Sequence, residues 1–316
     1  MSGSSQTKVL KYATLDVNYY WGKAKMTIAI WLHYAIDKLE HAGIGTARLD
    51  SQLLLADALQ HDRAWLLAHM DLPITEETEK KLEKPLADRI KHVPLAYIRG
   101  KTEFYGREFL VDKRVLEPRP ESETMIDILK GLPPAQQALQ IIDVGTGSGA
   151  LAVTAKLELP KAEVLATDND PACLEVARAN AAKHQVEISF VEGDLLEPAK
   201  NLQSEIIITL ANLPYVPDSY HINEAAMQEP RGAIFGGEDG LDPYRKLFEQ
   251  ANDLPKRPAY ILTESLPFQH KALQFIAARY GFRLTRDEDF IQVFEGGHPQ
   301  GLEYTTNAIA PVQPQV

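Results

Sequence analysis

The chain has 316 residues, with 33 basic against 44 acidic side chains, a net charge of −11 and one cysteine. Cys173 alone makes neither an intramolecular disulfide nor a cysteine-built zinc site, so no structural metal is expected and a cytoplasmic location is the default. No apolar run approaches the roughly 18–20 residues of a membrane span, no signal-peptide core opens the chain, and the acidic balance disfavours a phosphate backbone as partner.

Residues 1–25 carry four lysines against one aspartate and are polar and aperiodic, which predicts a flexible extension with Met26 as an alternative start. From Thr27, Ile28, Trp31, Leu32, Ala35, Ile36 and Leu39 recur at helical spacing, and Leu49, Leu53, Leu54 and Ala58 predict a second helix. Thr75 followed by Glu76 and Glu77 has the form of a helix cap ahead of Leu82, Leu86 and Ile90. Residues 26–92 are thus expected to form a small all-helical domain. Between 93 and 120, Pro94, Gly100, Gly106, Pro118 and Pro120 separate short β-like runs, which predicts a linker with a hairpin. Strand-like runs at 139–144, 163–167, 187–191, 205–210 and 259–263 then alternate with helical ones, including 171–184 and 244–251. Such alternation predicts an α/β domain with a mostly parallel sheet covered on both faces by helices, over residues 121–300. The Pro/Gln-rich tail, 301–316, is expected to be disordered.

Four features lie at predicted strand ends. The first is the loop Asp143-Val-Gly145-Thr146-Gly147-Ser148-Gly149, where glycines permit a sharp turn and close approach of a ligand to the main chain; by itself it is a weak signal. Next comes Asp168, 25 residues after Asp143, suited to accept two ribose hydroxyls; the competing role of helix cap falls better to Asp170, which precedes Pro171. Gly193-Asp194-Leu195 adds a carboxylate and an apolar wall for a heterocycle. Last, Asn212-Leu213-Pro214-Tyr215 offers an amide, a rigid turn and an aromatic ring; alone it would pass for a surface turn.

Together these features resemble the S-adenosylmethionine-dependent methyltransferases that act on amino groups conjugated to planar systems. A more specific resemblance is to the HemK/PrmC release-factor glutamine methyltransferases. It is carried by Pro118-Arg119-Pro120-Glu121-Ser122-Glu123, by Pro94-Leu-Ala-Tyr-Ile-Arg-Gly100, by Glu103-Phe104-Tyr-Gly106, and by Glu229-Pro230 through Gly237-Glu-Asp-Gly240-Leu241. The likeness spans about 26–295. Two departures stand out: Leu213 replaces the first proline of the family's Asn-Pro-Pro-Tyr, and Thr263-Glu264-Ser265-Leu266-Pro267 stands where a glycine-bearing strand end is expected.

The resemblance implies a Rossmann-like class I methyltransferase sheet of seven strands with a C-terminal antiparallel hairpin, the helical domain recognising the substrate. It implies S-adenosylmethionine as methyl donor, S-adenosylhomocysteine as product and no metal. The partner would be the Gly-Gly-Gln loop of peptide chain release factors, methylated at the glutamine amide nitrogen by a monomer. Implied cofactor contacts are Asp143, Gly145, Thr146, Gly147, Ser148 and Gly149, Asp168 with Asn169, Asp194 with Leu195, and Asn212. Implied catalytic residues are Asn212, Leu213, Pro214 and Tyr215, with the Asn212 oxygen and the Leu213 carbonyl accepting the two amide hydrogens and Tyr215 packing on the amide plane. Glu117, Arg119, Glu121 and Glu123 read equally as a solvated linker or as shapers of the pocket.

The competing enzyme is a nucleic-acid amino methyltransferase, since a flipped adenine makes the same demand on such a loop. Residues 93–316 carry 21 basic and 32 acidic side chains, which disfavours it. A catalytically silent cofactor-binding protein is the third reading, prompted by Leu213.

Overall fold

The computed structural model describes residues 25–132, 139–202, 204 and 206–296; residues 1–24 of the expected extension and the tail from 301 lie outside them. The chain divides into two compact units, one ending at Arg99 and the other beginning at Gly100.

In the first unit, α1 (Ile28–His41) is capped by Thr27, whose hydroxyl accepts the Ile30 N–H at 3.3 Å, and it buries Ile28, Trp31, Leu32, Ala35 and Leu39. The next helix, α2 (Ala47–Leu59), is rotated from its expected face. Leu49 is 40% exposed, whereas Asp50, Ser51, Leu54 and Leu55 are buried. The reason lies beyond α3 (Arg63–Ala68), on α4 (Glu76–Ile90), where Arg89 reaches Asp50 at 2.7 Å. A buried charge needs its partner, so the ion pair, not the leucine pattern, sets the rotation. Thr75 caps α4 as its sequence predicts, accepting the Thr78 N–H at 3.2 Å. Beyond the expected boundary at 92, Arg89 also donates to the Val93 carbonyl at 3.2 Å, and α5 (Leu95–Arg99) extends the unit.

The second unit opens with a hairpin of β1 (Lys101–Phe104) and β2 (Arg107–Leu110), turning at Tyr105-Gly106, both with positive φ. A single 3₁₀ turn, Pro120–Ser122, leads into α6 (Glu123–Gly131). Then strands and helices alternate: β3 (Gln140–Val144), α7 (Ala150–Glu158), β4 (Glu163–Asp168), α8 (Pro171–Lys183), β5 (Ser189–Glu192), β6 (Ile207–Ala211), α9 (Asp242–Asp253), β7 (Tyr260–Glu264), α10 (His270–Arg279), β8 (Arg283–Glu288) and β9 (Ile291–Glu295). They form a seven-stranded sheet in the order β5-β4-β3-β6-β7-β9-β8, parallel except for β9, which is antiparallel to both neighbours. This is the class I methyltransferase sheet with its C-terminal antiparallel hairpin.

Burial explains the order. Every residue of β3 and β6 is buried, as befits strands covered on both faces, and Ile141 and Ile142 feed opposite hydrophobic layers. One layer packs Met125, Ile128 and Leu129 of α6; the other packs Tyr244, Leu247 and Phe248 of α9. At the edge, β8 reads Arg-Leu-Thr-Arg-Asp-Glu and is largely exposed, the charged dressing that keeps an edge from pairing further. The chain runs β3-β4-β5 in one direction and returns to β6 on the other side of β3. Loops leaving β3 and β6 therefore diverge from neighbouring strand ends, the place where open α/β sheets hold ligands.

Candidate active site

At that switch point lies a cavity of about 610 Å³. Its walls include Asp143 near the end of β3 with Gly145, Thr146, Gly147 and Ser148 of the loop that follows, Asp168 at the end of β4 with Asn169, Asp194 and Leu195 after β5, and Asn212, Leu213 and Pro214 after β6. The register accounts for the convergence, because Asp143 lies opposite Leu210 of β6 and Val144 opposite Thr167 of β4. Two expected residues do not line it. Gly149 caps α7 and lies against Ala177 of α8, and the Tyr215 hydroxyl is drawn to Glu264 at 3.1 Å.

The β3 loop is braced from within. The Thr146 hydroxyl donates to Asp143 at 2.6 Å and the Ala152 N–H donates at 3.1 Å. Burial nevertheless pushes the Asp143 pKa up to about 7. Asp168 accepts the Gly147 N–H at 2.9 Å on one oxygen and the Asp170 N–H at 3.0 Å on the other, so it ties the loop to β4 instead of standing free. The Asn169 backbone also hydrogen-bonds this carboxylate, and burial holds its pKa above the usual carboxylate value. Further donors from a ligand diol would relieve that desolvation. Asp170 caps α8 through the Ala172 N–H at 2.8 Å, as expected. Asp194 pairs with Lys246 and accepts from Gln250 at 3.1 Å, while the Gln250 oxygen accepts the Leu196 N–H at 2.8 Å.

On the other wall, the Asn212 amide donates to the Ser122 hydroxyl at 2.8 Å, and Ser122 donates to Glu264 at 2.6 Å. Glu264 is fully buried at the end of β7, and burial pushes its pKa up to about 7. Leu213 is buried with its side chain against Gly145: a Cβ at Gly145 would stand 2.9 Å from Leu213 Cδ2. Its N–H donates to the Tyr244 hydroxyl at 3.2 Å, and that hydroxyl donates to the Glu264 carbonyl. The Gly236–Gly240 turn is pressed onto this loop, with Gly240 at φ +78° so close to the Tyr215 carbonyl that no side chain fits. Gln269 bridges the two, donating to the Tyr215 carbonyl at 2.7 Å and the Asp239 carbonyl at 2.8 Å.

Around the start of α6, Arg119, Glu117 and Glu123 are pins, while Glu121 is exposed. Arg119 donates to both oxygens of buried Glu229 at 2.8 and 2.7 Å, Glu117 accepts from Thr102 at 2.9 Å, and Glu123 accepts the Tyr105 N–H at 2.8 Å. Sequence reasoning passed over Ser122, Glu264, Gln250, Lys246 and Gln269. Ser122 and Glu264 stand within the Pro118–Glu123 and Thr263–Pro267 segments, but their meeting across 142 positions has no local signature.

Residues 31–100 match the PrmC N-terminal domain and residues 122–229 the methyltransferase small domain. With the sheet order and the loop cluster above, this defines a class I methyltransferase. Over 246 residues the chain is 36% identical to the release factor glutamine methyltransferase of Koribacter versatilis, covering 76% of this chain and 86% of that protein. Its counterpart in Geobacter sulfurreducens is 33% identical over 259 residues, 81% of this chain and 90% of that one. The chain is also 31% identical to the bifunctional methyltransferase of Rickettsia conorii, spanning 79% of itself but 53% of that longer protein. The chain belongs to the release factor glutamine methyltransferase family. Among the described residues no helix is long and apolar enough to cross a membrane.

Proposed function

We propose that this methyltransferase transfers a methyl group from S-adenosylmethionine to the side-chain amide nitrogen of the glutamine in a release factor's Gly-Gly-Gln loop, acting as a monomer in the cytoplasm. The relatives' names favour a protein acceptor over a nucleic acid. The residues present suit the cofactor. The cavity falls within the roughly 300–1,000 Å³ typical of small-molecule sites, its floor is a glycine-rich loop, and Asp168 retains acceptor capacity for a ribose diol. Asp194 and Leu195 would border the adenine, and Asn169 lies beside Asp168, the carboxylate that would hold the ribose. When bound, the sulfonium supplies an electrophilic methyl.

An amide nitrogen is a weak nucleophile because its lone pair is delocalised, so the protein's task is alignment. The observation that carries the proposal is the orientation of Asn212. Its Nδ2 is committed to Ser122, which leaves Oδ1 as the acceptor for a substrate N–H. The Leu213 carbonyl is the second acceptor. Two acceptors on one NH2 group fix its plane and stabilise the positive charge that grows on nitrogen. Pro214 holds Leu213 extended, and Tyr215 supports the loop from behind through Glu264.

Methyl-labelled S-adenosylmethionine, the chain and a release factor should give label on the Gly-Gly-Gln glutamine. Replacing Asn212 with Ala should lower kcat by about 10²-fold or more while calorimetric affinity for S-adenosylmethionine falls far less, by severalfold at most. Full activity in that variant, or label on RNA or DNA instead, would sink the proposal.

A further inference from the structure

The geometry points to Glu264 as a positioning residue that sets the polarity of the acceptor site, acting through Ser122 on the Asn212 amide. The inference rests on Asn212 accepting the substrate amide hydrogens.

An asparagine amide presents either its oxygen or its nitrogen to a cavity, and the two faces have nearly the same shape. Only the oxygen face accepts an N–H. What fixes the choice here is a directed chain of hydrogen bonds, in which Asn212 Nδ2 donates to Ser122 Oγ at 2.8 Å and Ser122 Oγ donates to Glu264 Oε2 at 2.6 Å. A hydroxyl has one proton. While Glu264 is ionised, that proton points to the carboxylate, and the hydroxyl oxygen left facing Asn212 can only accept. The other oxygen, Oε1, takes the Tyr215 hydroxyl proton at 3.1 Å, so one carboxylate directs both polar side chains of the Asn-Leu-Pro-Tyr loop. Asn212 also hydrogen-bonds the carboxylate in a way that favours its charged form. Through its main-chain carbonyl Glu264 further holds Tyr244, the hydroxyl that receives the Leu213 N–H.

Protonation reverses the chain. A neutral carboxyl donates to Ser122, whose own proton is then free to turn toward Asn212, and the amide flips to put Nδ2 into the cavity, where two donors face each other. The groups bearing on Glu264 are Glu121, which opposes its ionisation, and the Ser122, Tyr215 and Asn212 hydrogen bonds, which favour it. Tyr244 lies behind, and His270 is engaged with the neighbouring Ser265 carbonyl at 3.4 Å and with Asp287 at 2.7 Å. Burial dominates and brings the carboxyl to about 7, so the switch lies in the working range. A folded-state acid raised in this way is ionised only above that value, and kcat is expected to rise with pH through it. The acceptor amide does not titrate there.

The test is kcat from pH 5.5 to 9 at saturating S-adenosylmethionine with a release factor as acceptor, for wild type, Glu264→Gln and Ser122→Ala, beside calorimetric cofactor affinity. Wild type should show the ascending limb. Glu264→Gln should lose about 10²-fold in kcat and be flat with pH, with cofactor affinity unchanged. Should that variant not fold, Ser122→Ala carries the test, with kcat about tenfold lower, the worth of one buried hydrogen bond, and a weakened limb. If wild type transfers methyl and either folded variant keeps wild-type kcat with the same limb, the Glu264 assignment falls and the proposed reaction stands. If wild type labels no Gly-Gly-Gln glutamine at any pH, the reaction itself fails and the Glu264 assignment fails with it.

Discussion

Leu213 is where this chain differs from its family's motif, and Tyr244 is what accommodates the difference. A proline has no N–H; a leucine brings one into a buried site, where an unpaired donor is costly. Tyr244, fully buried, accepts that N–H at 3.2 Å and passes its own proton to the Glu264 carbonyl. The leucine side chain in turn occupies space that Gly145 leaves open. Replacing Tyr244 with Phe would orphan the Leu213 N–H and one carbonyl while preserving shape, and should lower unfolding free energy by about 1–3 kcal/mol in urea denaturation. An unchanged midpoint would mean that the hydroxyl is not the partner of Leu213.

Between elements, one asparagine joins three of them. Asn180, buried within α8, accepts the Leu110 N–H at 2.7 Å and donates to the carbonyls of Leu110 and Ser148, at 2.9 and 2.8 Å. The hairpin strand β2 and the glycine loop after β3 are thereby fastened to the same helix. Asn180→Leu keeps the volume but strands those groups, so we expect a stability loss of about 2 kcal/mol or more by thermal or urea melting, together with several-fold weaker binding of S-adenosylmethionine. Loss of stability with unaltered affinity would show that the Ser148 carbonyl is not positioned through this helix. The Arg119–Glu229 pair does for the 229–241 segment what Asn180 does for the glycine loop, linking positions 110 apart in sequence.

Over the whole molecule, buried carboxylates set how stability varies with pH. Asp143 and Glu264 both lie at about 7 because of burial, above their unfolded values near 4, so the folded state binds protons that the unfolded state does not. Their contribution is complete below about pH 4 and is lost as pH rises through about 7. Glu108 runs the other way: Lys101 and Lys183 hold it down at about 2, so what it contributes is present above about pH 4.3 and is lost on acidification toward 2. The urea midpoint should therefore rise as pH falls from about 8 to about 5.5 and decline again below about 4. Asp143→Asn should flatten the upper slope, and a slope unaltered in that variant would remove Asp143 from the account.

The alternation of strands and helices was legible from residue 139 onward because β3, β6 and β7 are apolar runs bounded by turn residues, and their periodicity survives in the chain itself. The site loops were legible for a related reason: a ligand-bearing loop of an open sheet must sit at a strand's carboxyl end, and Gly145, Asp168, Asp194 and Asn212 all do. The caps at Thr75 and Asp170 needed only their own neighbours. What the chain order does not carry is pairing over distance. The turn of α2 toward Arg89, the Arg119–Glu229 clasp and the run from Asn212 through Ser122 to Glu264 each join side chains between 39 and 142 positions apart. Hydrophobic spacing is a local property, and it placed the Asn212–Tyr215 loop at the end of a strand. Which way that asparagine points is decided by a buried carboxylate at the end of the adjacent strand, because burial leaves a charge no partner except those the tertiary fold delivers.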